Sequence, residues 1–181
     1  RSGGRAYNGL VTGDDRAAVL QAIADNLGAV GVTITTDLDT AEHLVTARAL
    51  TGATPGNFAL IWHDFHATAR AETRDADRVE RIARCGPAVG VSVVVGTRTL
   101  LPQDFGNNTV LRALLHADNL VVLHDPLPFE HAIAGALLQP FALPRDGGHA
   151  YTVQDGQQIP FRIAARTASA VTAHSVLSFA P

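Results

Sequence analysis

Short apolar segments alternate with longer amphipathic segments along this chain, and that alternation constrains the fold more than any other feature of the sequence. The short segments are rich in β-branched residues, whereas the longer ones repeat apolar residues at helical spacing. The predicted strands cover residues 7–13, 31–35, 58–62, 90–96 and 119–123. The predicted helices cover residues 15–27, 68–84, 109–116 and 129–138, with one more running from a cap at Asp37 or Asp39 to Leu50.

Five βα units in succession predict an α/β fold. The expected architecture is a three-layer, doubly wound and mostly parallel sheet with right-handed crossovers. After Pro140 the pattern changes, and residues 151–153 and 159–163 predict a C-terminal hairpin. We expect one domain over residues 1–164, followed by a tail or linker over residues 165–181.

Composition excludes several classes of protein. The chain has 181 residues, of which 46% are hydrophobic and 17% charged, so it can bury a core and is not a disordered chain. No apolar run approaches the ~18 residues that a membrane span requires. A net charge of −3 argues against non-specific nucleic-acid binding by the whole surface, and the single Cys85 excludes an internal disulfide. Without a signal-peptide pattern or a Met, we expect a cytoplasmic, excised domain or processed product.

Ligand sites of such sheets lie at the carboxyl ends of the strands. Those ends carry Gly13, Asp37, His63-Asp64, Thr97-Arg98 and His124-Asp125. A phosphate loop would follow the first strand, where it needs a second glycine, a lysine and a hydroxyl group. The segment Gly13-Asp14-Asp15-Arg16 has none of these, and all 14 basic residues of the chain are arginines. The alternatives are a plain strand-to-helix turn and a loop in which Arg16 replaces the lysine with poorer geometry.

Two further strand ends carry candidate chemistry. Asp64 ends an apolar strand, where an acid can hold Mg²⁺ or its water, but Phe65 follows where a hydrolytic site would carry a glutamate. The alternative is a structural or capping role for Asp64. Thr97 suits a sensor of a γ-phosphate, and Arg98 suits a phosphate or a neighbour's carboxylate. The alternative for Arg98 is a solvated loop residue.

Two other patterns have both a functional and a plain explanation. His63, Asp64 and His66, joined by His124 at the sheet edge, would make a zinc or iron site, although no H-E-x-x-H spacing is present. Histidines on the surface explain the same pattern. The charge-rich helix at 68–84 is either a solvated face or a partner surface.

The order of these segments resembles the motor domain of the FtsK/SpoIIIE superfamily of hexameric RecA-like translocases, from about Tyr7 to Ala164. The most specific part is the apolar strand ending in Asp64, the charged helix after it, and the glycine-led strand ending at Thr97. Residues 105–115 are similar to the actinobacterial plasmid-transfer branch, and residues 147–163 to the family's closing hairpin. Type VII secretion ATPases of the EccC kind share this pattern and often carry degenerate motor domains.

The resemblance implies a RecA-like fold and a role for several residues. It implies nucleotide contacts for Gly13, Asp14 and Arg16, a Walker B-like acid at Asp64, sensor-like residues at Thr97 and Arg98, and an arginine finger at Arg112. The departures from the family are the missing loop lysine, Phe65 in place of a glutamate, and Arg98 in place of a glutamine.

The expected function is that of a degenerate FtsK/SpoIIIE-type ATPase domain in a DNA-transfer or secretion machine. Its partners would be active motor domains or copies of itself in a ring-like oligomer, together with DNA or a secreted protein. Mg-ATP is the expected cofactor, held weakly or not at all. An alternative hypothesis is a peptide-binding module that reuses the pocket of Gly13, Asp64 and Thr97. A third is a metal-dependent hydrolase built on His63, Asp64 and His66.

Overall fold

The seven strands and three helices below come from a computed structural model, which describes residues 8–13, 16–52, 57–65, 74–100, 114, 120–123, 149–154 and 157–162. The strands are β1 (Gly9–Thr12), β2 (Thr33–Thr35), β3 (Phe58–Trp62), β4 (Val91–Thr97), β5 (Leu120–Leu123), β6 (His149–Gln154) and β7 (Gln157–Arg162). The helices are α1 (Arg16–Ala29), α2 (Leu38–Thr51) and α3 (Arg74–Cys85), and a 3₁₀ turn (Gly86–Val89) joins α3 to β4.

The seven strands form one sheet in the order β2-β3-β4-β1-β5-β6-β7. Strands β2, β3, β4, β1 and β5 are parallel, and β6 and β7 add an antiparallel hairpin at one edge. The chain crosses from β1 to the far edge at β2, returns through β3 and β4, and then places β5 on the other side of β1. The predicted α/β fold, RecA-like with a C-terminal hairpin, is confirmed.

Side chains that alternate along the strands build a separate core on each face of the sheet. On one face Leu10, Leu60 and Val93 pack with α2 and α3. On the other face Val11, Ile61 and Val94 pack with Val19 and Leu20 of α1. The central strands are apolar on both faces because helices cover both, which gives the three predicted layers.

Helix α2 begins at an N-cap that the sequence placed at Asp37 or Asp39. Asp37 is the cap, because its carboxylate accepts hydrogen bonds from the backbone N–H groups of Asp39 (3.3 Å) and Thr40 (3.0 Å). The Thr40 hydroxyl also donates to this carboxylate, and that bond is the main reason why the pKa of Asp37 lies below its usual value. The helix ends at Gly52, which adopts the left-handed conformation with φ 65°.

Helix α3 is tied to α2 by a group of ion pairs. Arg78 pairs with Asp39, with Glu42 (2.8 Å) and with Asp75 (3.2 Å), and its side chain is only 18% exposed. Arg81 reaches the same Glu42 at 2.7 Å. Part of the charge-rich face predicted as a solvated or partner surface therefore lies against α2.

Several predicted segments lie outside the described residues. These are residues 68–73 of the predicted charged helix, the predicted helix 129–138, the tail 165–181, and the predicted helix 109–116 apart from Leu114, which is helical and buried. Within the described ranges, no helix combines the length and the apolarity that crossing a membrane requires.

Candidate functional site

The carboxyl ends of three neighbouring strands meet at one edge of the sheet. Thr12 at the end of β1 pairs with Thr97 at the end of β4, and Trp62 at the end of β3 pairs with Val95 of β4. Chain reversal around β1 makes this edge the switch point of the fold, where ligands of open α/β sheets bind. The sequence prediction that Gly13, Asp64 and Thr97-Arg98 share one edge is thus consistent with the strand register.

The connection from β1 to α1 contains only residues 13–15. Gly13 has φ 107°, a conformation that favours glycine, and its N–H donates to the carbonyl of Arg98 at 3.0 Å. The Gly13 carbonyl accepts from the N–H of Arg16 at 3.4 Å. The backbone pairing of β1 with β4 therefore extends one residue beyond both strands, to Gly13 and Arg98.

Arg16 extends from the first residue of α1 to the end of β3. One guanidinium nitrogen, Nη2, lies 2.6 Å from Oδ1 of Asp64, and the other, Nη1, donates to the Gly13 carbonyl at 3.2 Å. The Arg16 side chain is 16% exposed and that of Asp64 is 60% exposed. The ion pair thus joins the start of α1, which follows β1, to the residues after β3. Strand β4 lies between β1 and β3 in the sheet.

Two buried threonines lie at the ends of β1 and β4. Thr12 and Thr97 are both fully buried, and their parallel pairing places them on the same face of the sheet. The Thr97 hydroxyl donates to the carbonyl of Thr99 at 3.4 Å. Within the described part of the chain, Thr12 Oγ1 has no hydrogen-bond partner. Sequence reasoning missed Thr12, although a hydroxyl at the last position of an apolar strand is a visible signal.

Gly96 is a second residue that sequence reasoning missed. A Cβ atom at this position would lie 2.4 Å from the carbonyl oxygen of His63 and 2.6 Å from Cδ1 of Leu20. The missing side chain therefore lets the backbone after β3 and helix α1 both cross β4 closely. The signal in the sequence was a lone glycine in a run of β-branched residues.

Phe65 stands where the resemblance expects a glutamate. It is fully buried and belongs to the core on the α2 and α3 face of the sheet. A carboxylate at this position would be buried among apolar side chains, so the sequence change follows from the packing.

The remaining candidates are only partly described. Arg98 has an exposed side chain and His63 a half-buried one, whereas Asp14, His66, Arg112 and His124 lie outside the described residues. In the ranges that the structure describes, no three side chains of His, Cys, Asp or Glu come close enough to hold a metal ion. Asp37, which follows β2, is the N-cap of α2.

No protein-family profile matches the sequence, and no curated protein matches it. Several solved structures do match the fold. The cytoplasmic domain of the type VII secretion ATPase EccC from Thermomonospora curvata matches with a TM-score of 0.63 and 14% identity, over 90% of this chain and 24% of that one. EccC ATPases 2 and 3 from the same organism, in complex with a signal sequence peptide, match with a TM-score of 0.60 and 11% identity, over 90% and 37%.

A third match comes from conjugation. The pCW3 coupling protein TcpA, in a monomer form with ATPγS, has a TM-score of 0.56 and 11% identity, over 89% of this chain and 61% of that one. The chain has the RecA-like fold of these ATPases. The likeness to FtsK/SpoIIIE-type ATPases predicted from the sequence is confirmed at the level of the fold. The chain spans between a quarter and three fifths of the length of these three structures.

Proposed function

We propose that this chain is a motor-type domain of a secretion or DNA-transfer ATPase, that its nucleotide site is degenerate, and that it acts in the cytoplasm by assembly. The fold and its neighbours support a related domain of such a machine. The observation that carries the rest of the proposal is the short β1–α1 connection, which ends in an arginine bonded to Asp64.

Mg-ATP does not fit the residues at this edge. A phosphate loop wraps the phosphates with several inward-facing N–H groups, whereas this connection has three residues and the amide of Gly13 bonds to Arg98. Asp14 and Asp15 add negative charge there, and no lysine exists to offset it. Asp64 is already paired with a cation of the chain itself. We therefore derive no catalytic step through a nucleotide bound to this chain.

The surrounding residues support the same conclusion. Phosphoryl transfer depends on positioning the phosphates, stabilising their charge and orienting the nucleophile. The position that would orient water holds the buried Phe65, and the hydroxyl of Thr97 bonds to a nearby carbonyl. The proposed domain contributes surfaces and exposed groups to a neighbour rather than turnover of its own.

Arg98 is the group that we propose for action on a neighbour. Its side chain is exposed at the edge of the sheet where nucleotides bind in related folds, and its backbone is fixed by the bond from Gly13. An arginine in that place can stabilise the phosphates held by an adjacent motor domain. Arg112 remains the second candidate for this role.

The test measures ATP hydrolysis by an active motor domain of the same machine, alone and with this chain. We expect no hydrolysis by this chain alone, association on sedimentation, and a change in the motor's rate that Arg98→Ala reduces at least about tenfold. Arg84→Ala is the matched control, because Arg84 is also exposed but lies at the end of α3 that leads to the start of β4. Steady hydrolysis by this chain alone that Asp64→Asn abolishes would contradict the proposal, as would failure to associate.

Peptide binding is a second candidate, favoured by one observation. A structure with the same fold, EccC ATPases 2 and 3, was solved in complex with a signal sequence peptide. Arg16 provides a partly buried cation at the proposed pocket, and a peptide carboxylate would compete with Asp64 for it. Fluorescence anisotropy with a labelled signal peptide tests this, and an affinity unchanged by Arg16→Gln would place the peptide elsewhere.

A further inference from the structure

We propose that Arg16 is a tethered counter-ion that closes this edge of the sheet from within. Its guanidinium places a positive charge against the Asp64 carboxylate, where it repels other cations, and it holds the start of α1 to the residues after β3. The inference concerns the regulation of the same edge, and it rests on the proposed degenerate site.

The geometry provides two anchors for one guanidinium. Nη2 lies 2.6 Å from the Asp64 carboxylate, a charge-assisted contact, and Nη1 donates to the Gly13 carbonyl at 3.2 Å. The arginine is the first residue of α1, so the helix fixes its backbone. Two bonds from one planar group fix its orientation as well as its distance, which a lysine ammonium would not do.

The Arg16 side of this ion pair is largely buried, whereas its Asp64 side is exposed to solvent. The Arg16 side chain is 16% exposed, and within the described residues its Nε is buried without a hydrogen-bond partner. Leaving a buried donor unsatisfied carries an energetic cost, so the fold keeps the side chain here against that cost. The two guanidinium contacts are what hold it in place.

Charge explains why the edge would exclude a divalent cation. Asp64 is 60% exposed and accessible to an ion from solution. By Coulomb's law in water, a guanidinium about 5 Å away lowers the affinity of a divalent ion for that carboxylate roughly tenfold. Removing only the charge of Arg16 should therefore weaken the repulsion that a divalent cation meets at Asp64.

The test is a Mn²⁺ titration of the whole ¹⁵N-labelled chain, followed by paramagnetic broadening of the backbone amide signals. Asp77 on α3, an exposed carboxylate, is the internal reference. In the native chain, we expect the amides around Asp64 to broaden no earlier than those around Asp77. In Arg16→Gln, they should broaden at about fivefold lower Mn²⁺ concentration, and Arg16→Gln with Asp64→Asn should remove the gain.

Arg16→Lys separates charge from geometry. It should keep Mn²⁺ away nearly as well as the native arginine, but hydrogen exchange of the Gly13 amide, which donates to the carbonyl of Arg98, should speed up because the guanidinium contact to the Gly13 carbonyl is lost. The inference is overturned if the native chain binds Mn²⁺ at Asp64 as readily as Arg16→Gln does, or if Arg16→Gln gains nothing while its spectrum remains that of a folded chain. The titration uses neither nucleotide nor partner, so its failure leaves the assembly test of the proposed function untouched.

Discussion

The side-chain amide of Asn8 joins three parts of the fold. It is 6% exposed, its Oδ1 accepts from the N–H of Val93 at 2.9 Å, and its Nδ2 donates to the carbonyl of Ala83 at 2.8 Å. The residue before β1 is thereby bonded both to β4 and to the end of α3. A polar residue is tolerated in this core because the amide's donor and its acceptor are both satisfied.

Replacing Asn8 with alanine should be one of the most destabilising single changes in the chain. It leaves a buried N–H on Val93 and a carbonyl on Ala83 without their partner, so we expect a loss of about 2–4 kcal/mol in the free energy of unfolding. Urea denaturation followed by circular dichroism measures it. Asn26→Ala is the control, because Asn26 is exposed and donates only to a carbonyl of its own helix, and it should change stability by less than about 0.5 kcal/mol. A similar loss in both variants would refute the bridging role of Asn8.

At single residues, sequence reasoning worked where the cause is local. The cap of α2 was predicted because an aspartate before a helix accepts from the next turn. The pair of Arg16 and Asp64 was not predicted, because these residues are 48 positions apart and meet only through the order of three strands. The sequence shows which residues follow the strands and so lie at this edge of the sheet. Which of those residues touch one another depends on the order of the strands in the sheet.

At the scale of elements, Gly96 lies where α1 and the segment after β3 cross β4, and its lack of a side chain allows their close approach. Its α-carbon faces the carbonyl of His63 and the side chain of Leu20, at distances that leave no space for a methyl group. Because Gly96 has no side chain, α1 and the segment after β3 lie close together over β4. The Arg16–Asp64 pair is formed between those same two segments.

Gly96→Ala should therefore destabilise the chain by about 1–3 kcal/mol, since a backbone carbonyl must move to admit the methyl group. It should also raise the exchange rate of amides in residues 63–65. Gly28→Ala is the matched control in α1, because nothing lies within 4 Å of a Cβ atom there. In that helix the exchange of glycine for alanine should stabilise by about 0.5–1 kcal/mol. Opposite signs for the two variants are the expected result, and a neutral Gly96→Ala would show that the crossing has room to spare.

The positions of the strands and helices are largely predictable from the sequence, whereas the contacts between them are less so. Residues 58–62 were predicted as a buried strand and form β3, because a continuous apolar run of that length suits a strand covered on both faces. The sequence predicts that the charges of α3 face solvent or a partner. Arg78 instead binds Asp39 and Glu42, because helix packing brings the acidic residues of α2 opposite it.

At the scale of the whole molecule, the sheet order has the geometry of a nucleotide-binding fold, and an Arg16–Asp64 ion pair lies at its switch point. The reversal around β1 brings the ends of β1, β4 and β3 together, as the fold requires. Composition and periodicity predicted a parallel sheet, while the likeness to translocases supplied its RecA-like form. The proposed role of the edge could not be derived from either, because it depends on a contact between Arg16 and Asp64, which are 48 positions apart.

A thermal shift measurement on the 181-residue chain tests the proposal that this edge does not hold a nucleotide. A ligand present at about 100 times its Kd stabilises the folded state by about 2.7 kcal/mol, which for a domain of this size raises Tm by about 5–10 °C. We expect about 5 mM Mg-ATP to raise the Tm of this chain by less than about 1 °C, because the segment after Gly13 lacks the lysine and hydroxyl of a phosphate loop and Arg16 pairs with Asp64. ATP without Mg²⁺ is the control for weak binding to arginines. A rise of several degrees that requires Mg²⁺ and disappears in Asp64→Asn would mean that the edge opens for nucleotide, since the ion pair must then yield to the metal.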